Sequence, residues 1–138
     1  MKDEVLEILN QYLELFPNEK ERQKVLIEYL EKFNDKEIID WNNFNGHIVA
    51  SGFLYARKER KFLVLWHKDL KMFLYPGGHV NLDDENILEA AKREVREETG
   101  LDNFEQAKIA KNKLIPFDID TQNIRPNERL NLPRTLSF

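Results

Sequence analysis

The chain contains no cysteine. It therefore has no disulfide framework, no thiolate metal site and no cysteine nucleophile, and zinc fingers of the Cys-rich kinds are excluded. Only three histidines are present, His47, His67 and His79, too scattered along the chain to read as a zinc site. There is no excess of positive charge. The net charge is −4, so no global basic field draws the protein to nucleic acid. No apolar run is long enough to span a bilayer. The first residues, Met1-Lys2-Asp3-Glu4-Val5, lack the apolar core of a signal peptide. No internal repeat and no low-complexity segment occurs. These absences leave a water-soluble globular chain with an expected cytoplasmic location, long enough at 138 residues for one modest domain.

What is present begins with apolar residues at helical spacing. Val5, Ile8, Leu9, Tyr12, Leu13 and Phe16 predict a helix over Asp3–Phe16, which Pro17 ends because proline disfavours helical geometry in the residue before it. Asn18 is then expected to cap a second helix running to Phe33, with Val25, Leu26, Tyr29, Leu30 and Phe33 as its stripe. Residues 1–40 thus read as a helical hairpin, and 41–138 as the main domain.

Asp40–Gly46 reads as a connector. His47–Ala56 and Phe62–Trp66 read as strands, the second apolar throughout and expected to be buried on both faces. The charged link Arg57-Lys58-Glu59-Arg60-Lys61 fits a solvated hairpin turn, with a local phosphate contact as the alternative. Met72–Tyr75 leads into Pro76-Gly77-Gly78, expected as a sharp turn. Ile87–Thr99 has helical spacing at Ile87, Leu88, Ala91 and Val95, and Gly100 stands where a left-handed cap is wanted. Lys113–Ile119 reads as a further strand, placed at an edge or bulge by Pro116. Asp120–Phe138 is polar and shows no strong periodicity.

The most informative feature is acidic. Glu94 and Glu97 are i,i+3 neighbours, and Glu94 and Glu98 are i,i+4 neighbours, so all three project from one side of the helix. Like charges at these spacings destabilise a helix by roughly 0.2–0.5 kcal/mol per pair. An oxygen-seeking divalent cation, Mg²⁺ or Mn²⁺, would compensate. The plain alternative is a solvated face paired with Lys92, Arg93 and Arg96. The nearby glycine pair, which permits close backbone approach to a ligand, favours the site.

The stretch from Gly77 to Leu101 resembles the signature of the Nudix hydrolases: Gly, five residues, Glu, seven residues, then Arg-Glu-apolar-x-Glu-Glu-x-Gly-apolar. Arg93, Glu94, Val95, Glu97, Glu98, Gly100 and Leu101 match every fixed position of its second half. In the first half, six residues separate Gly78 from Glu85. The loop thus carries one extra residue, or Asp84 replaces the first Glu, as in a Gly-Gly-His subset of similar sequences.

The resemblance implies an α/β fold, a Nudix-like α/β/α sandwich with a mixed sheet behind the helical hairpin. It implies a hydrolase cleaving a diphosphate linkage in a nucleoside diphosphate derivative. Gly78, Glu94, Glu97 and Glu98 would hold Mg²⁺ or Mn²⁺. Glu97, Glu98 and Arg93 would serve catalysis, with the general base among these glutamates or a later carboxylate. Gly77, Gly78 and His79 would meet substrate, and Asp84 or Glu85 would pair with Arg93 as structural support.

Trp66, Phe73 and Tyr75 could stack a nucleobase, although core packing is their default reading. The family fold usually continues beyond Ile119 with further strands and a helix. The tail is accordingly expected to add only a rudimentary strand at Thr135–Phe138, or to belong to a shortened form completed by a partner, which makes a homodimer conceivable. A non-catalytic nucleotide- or partner-binding scaffold and a truncated inactive form are the alternatives to the enzyme.

Overall fold

The computed structural model describes residues 1–107, 115–124 and 135–137. It has the α/β character expected from the sequence. Four α-helices and eight short strands gather into two compact units, Met1–Val49 with Gln106–Phe138, and Ala50–Glu105.

In the first unit, α1 (Lys2–Leu15) carries Asp3 and Glu4 in its first turn, where the helix dipole favours anions, and buries Val5, Leu9 and Tyr12. Pro17 follows, but Asn18 does not cap the next helix. Pro17–Glu19 instead forms a 3₁₀ turn, with the Lys20 N–H donating to the Pro17 carbonyl. The second helix, α2 (Lys24–Lys32), therefore starts later than expected and has no side-chain cap. It buries Leu26, Tyr29 and Leu30, while Val25, expected in the same stripe, is exposed.

A third helix, α3 (Asp35–Ile39), was not anticipated. Asn34 caps it in a capping box with Glu37, and Ile38 and Ile39 are buried. The signal was present in the sequence as Asn34-x-x-Glu37. The Tyr29 hydroxyl donates to the Gly46 carbonyl at 2.6 Å, tying the following connector to α2. Burial pushes this phenol up to about 12.

The strand expected over Lys113–Ile119 is not seen in its described part, residues 115–119. Lys113 and Leu114 lie outside the described residues. Pro116 has no N–H to give a ladder, and side chains take up the neighbouring backbone and acid groups. Gln23 Nε2 donates to the Ile119 carbonyl at 2.6 Å, and Arg22 donates to Asp118 at 2.5 Å. The Tyr12 hydroxyl also donates to Asp118. Burial works to raise the Asp118 pKa, but Arg22 and Tyr12 more than offset it and hold the carboxyl below its usual range.

Beyond this segment a strand that the sequence reading missed, Gln122–Ile124, pairs antiparallel with Thr135–Ser137, where a rudimentary strand was expected. Counted along the chain these are β7 and β8.

The second unit begins within β1 (Val49–Ser51). The expected strand His47–Ala56 is broken, because the Gly52 N–H turns aside to the Pro76 carbonyl at 2.8 Å. Two antiparallel hairpins follow. β2 (Tyr55–Ala56) pairs with β3 (Lys61–Phe62) around the charged link, and β4 (Leu65–His67) pairs with β5 (Met72–Leu74).

The expectation that Phe62–Trp66 is one strand buried on both faces fails. Phe62 is 56% and Trp66 53% exposed, and the segment divides between two hairpins. Phe73 and Tyr75 are exposed as well, against their default assignment to the core. These rings pack on one another across each hairpin rather than into a buried layer.

Gly77-Gly78 is likewise not a turn. With His79 it forms β6 (Gly77–His79), the neighbour of β1. Packed against β6 is α4 (Ile87–Thr99), whose bounds are those read from its periodicity. Ala50, Pro76, Val80, Ala90 and Val95 are the buried residues of this unit.

Candidate active site

Both ends of α4 are fixed by local chemistry. Asn86 Oδ1 accepts the Glu89 N–H at 2.9 Å, satisfying one of the free donors of the first turn. Gly100 closes the helix at φ 69°, a left-handed geometry that favours glycine. Ala90 and Val95 turn inward, and Val95 fills the space that a side chain on Gly52 would need. With that face buried, Arg93, Glu94, Glu97 and Glu98 are left on the other side of the helix.

Arg93 is the centre of the arrangement. Its Nε and one terminal nitrogen donate to the two oxygens of Asp84, both at 2.9 Å. The same terminal nitrogen donates to the His79 carbonyl at 2.8 Å. The other terminal nitrogen donates to Glu94 at 2.7 Å and Glu97 at 3.2 Å. A guanidinium has five N–H donors in a rigid fork, and here every one has an acceptor.

Asp84 is only 8% exposed, and it also accepts the Asn81 N–H at 2.7 Å, closing a tight loop before the helix. Hydrogen bonding from Arg93 holds its carboxyl below the usual carboxylate range, and reciprocally raises the guanidinium. Of the two acids that sequence spacing left open as partners of Arg93, Asp84 makes the bidentate contact and Glu85 is exposed.

A stability consequence follows from the depressed Asp84 value. Its contribution is present above the unfolded value of about 3.9 and is lost as pH falls through the lower folded value. Urea unfolding from pH 6 downward should therefore show wild type more stable than Asp84→Asn by a margin that shrinks below about pH 4. A margin independent of pH would mean that the ion pair is not what stabilises the loop.

The remaining residues divide between backbone and side-chain contacts. Glu98 Oε2 accepts the Gly77 N–H at 2.9 Å, joining the end of α4 to β6. Glu94 lies against Gly78, where a Cβ would stand 2.6–2.9 Å from its carboxylate atoms. Gly78→Ala should therefore push the flexible Glu94 carboxylate aside. The expected cost in stability is under about 1 kcal/mol, with a loss of turnover of about tenfold or more. Activity equal to wild type would show that the position of Glu94 is immaterial.

His79 contributes its carbonyl to Arg93, and its side chain is exposed. Glu97 is the most open of the three glutamates, its side chain 59% exposed. His47 is buried in the first unit, so the three histidines are not gathered.

Arg93 thus brings Asp84, Glu94 and Glu97 together, while Glu98 is held by Gly77. Among the described residues, no three Asp, Glu or His side chains converge on a point where an ion would sit. The donor chemistry nevertheless suits Mg²⁺ or Mn²⁺, since it offers only oxygens, and Gly78 keeps the space beside Glu94 clear of a side chain. The sequence reading missed Asn81 and Asn86, which shape the loop between β6 and α4. Asn86-x-x-Glu89 ahead of an apolar run was the available signal for the second.

No helix among the described residues is long and apolar enough to cross a membrane. No curated protein matches the chain. A model of the NUDIX domain matches residues 46–130, which include the β6 glycines, the Asn81–Asp84 loop and all of α4. That match covers well over half of the 138 residues, and the chain belongs to the NUDIX family.

Proposed function

We propose that β6 and α4 form the catalytic centre of a pyrophosphohydrolase that cleaves a diphosphate linkage in a nucleoside diphosphate derivative with Mg²⁺ or Mn²⁺. The observation that carries this reading is the fully satisfied Arg93 fork, which spends every donor on the loop and helix that present the glutamates. Such a device gives an acidic cluster a fixed geometry, which a merely solvated face does not need. The bidentate Asp84 contact also supports the Gly-Gly-His variant of the signature, with its lengthened loop, in which Asp84 does the work expected of the first Glu.

Gly78, Glu94, Glu97 and Glu98 are the residues proposed to hold the cation. When bound, a divalent cation neutralises phosphate oxygens and lowers the pKa of water. Arg93 keeps Glu94 and Glu97 in position, with Asp84 as its anchor. Glu97 or Glu98 takes the proton from the water that attacks phosphorus in line, and the phosphate on the far side of the bridging oxygen leaves. The glycine backbone of β6 lets the phosphates approach, with His79 beside them.

The test is a phosphate-release screen over nucleoside triphosphates, nucleotide sugars, dinucleoside polyphosphates and ADP-ribose, with Mg²⁺ and with Mn²⁺. The expected result is metal-dependent cleavage of at least one class. A second reading, a scaffold that binds nucleotides without cleaving them, is favoured by the hold of Arg93 on Glu94 and Glu97. It would give saturable nucleotide binding and no product from any class.

A further inference from the structure

The Ala50–Glu105 unit contains a cavity of about 360 Å³ that none of the roles assigned above uses. Leu65, Trp66, Leu74 and Tyr75 line it, and it extends to Gly77 and Glu98. Its size is near the lower end of small-molecule sites, which run from roughly 300 to 1,000 Å³. That suits one base with its sugar better than a large polymer.

Both aromatic rings of the lining are braced from behind. Trp66 is the cross-strand partner of Phe73, with the rings edge to face at 5.1 Å. Tyr75 meets Phe53 edge-on at 5.1 Å and Phe62 at 6.2 Å. A side chain fixed in this way offers stacking area without a large ordering cost on binding. Trp66 nonetheless keeps more than half of its surface open.

The rest of the lining is polar. The His67 Nδ1 accepts the Leu70 N–H at 3.1 Å, so in the neutral ring the proton is on Nε2, which becomes a donor. Lys68 adds a positive charge and Asp69 an acceptor. A flat aromatic wall, donors and acceptors around it, and one end at the glutamate helix match a nucleoside phosphate. A lipid chain would leave the charged residues without partners.

We propose that this cavity binds the base and sugar of a nucleoside phosphate, the base stacking on Trp66 and Tyr75 and the phosphates directed to the Gly77–Glu98 end. The inference rests on the hydrolase reading for its orientation, but binding can be measured without turnover.

The chain has two tryptophans, Trp41 and Trp66, so Trp41→Phe leaves Trp66 as the sole indole reporter. Titrating that variant with AMP, GMP, CMP and UMP should give saturable quenching by at least one of them. Ribose 5-phosphate and inorganic phosphate should give none. By calorimetry, Trp66→Leu should weaken binding of the same nucleotide about tenfold or more, as loss of a base–aromatic stack does, and Trp66→Phe should restore most of it. Tyr75→Leu provides the same comparison if Trp66→Leu melts abnormally.

No saturable quenching by any of the four nucleotides would overturn the proposal, as would unchanged affinity in both leucine variants. Binding by a chain that hydrolyses nothing would support the pocket and count against the enzyme. Hydrolysis with a KM unmoved by Trp66→Leu and Tyr75→Leu would count against the pocket alone.

Discussion

Arg93→Ala is expected to lower the melting temperature by on the order of 10 °C, corresponding to roughly 3 kcal/mol in a domain of this size. The cost arises less from the attraction lost than from what remains. Asp84 would keep a carboxylate almost excluded from water with no cation beside it, and the His79 carbonyl would lose its donor. Glu94 and Glu97 would no longer be drawn together, so turnover should fall about 10²-fold or more beyond any loss of folded protein. Arg96→Ala is the matched control. Arg96 also pairs with a carboxylate, Asp102 at 2.8 Å, but the two side chains are 45% and 84% exposed, and such pairs contribute about 0–1 kcal/mol. Equal, small melting shifts in the two variants would reduce Arg93 to a surface charge.

The second large effect separates activity from stability. Replacing both Glu97 and Glu98 with Gln should reduce turnover by about 10³-fold or more, since a general base alone contributes roughly 10²–10⁴. The fold should survive. In Glu98→Gln the amide oxygen can still accept the Gly77 N–H, and in Glu97→Gln it can still accept from Arg93. Repulsion within the cluster falls by roughly 0.2–0.5 kcal/mol for each like-charged pair removed. A double variant that loses activity only because it melts would contradict this separation.

The legibility of the sequence differed sharply between these elements. For α4 every level agreed: the apolar positions, a polar cap before them and Gly100 after them all pointed to one helix, and its bounds came out as read. The same helix carried the signature glutamates, so the candidate residues were visible as well. The hairpins were misread because apolar character was taken to mean burial. Phe62, Trp66, Phe73 and Tyr75 satisfy one another in pairs on short two-stranded ribbons, and no periodicity distinguishes that arrangement from a core strand.

Gly77-Gly78 was misread as a turn for the opposite reason. Glycine is a weak strand former, and here it is needed in a strand because Glu94 lies where the Gly78 side chain would be. The partner of Arg93 could not be decided by counting along the chain. It is settled by the loop that Asn81 and Asp84 close between themselves, which turns Asp84 toward the helix and leaves Glu85 outside.

The most direct measurement is a calorimetric titration of Mn²⁺ into the wild-type chain and into the Glu97→Gln, Glu98→Gln double variant, with folding checked by melting. If the α4 carboxylates form a divalent-cation site, the wild type binds saturably and the folded double variant loses that binding. Unchanged Mn²⁺ affinity in the double variant, or no saturable binding to the wild type, would contradict it.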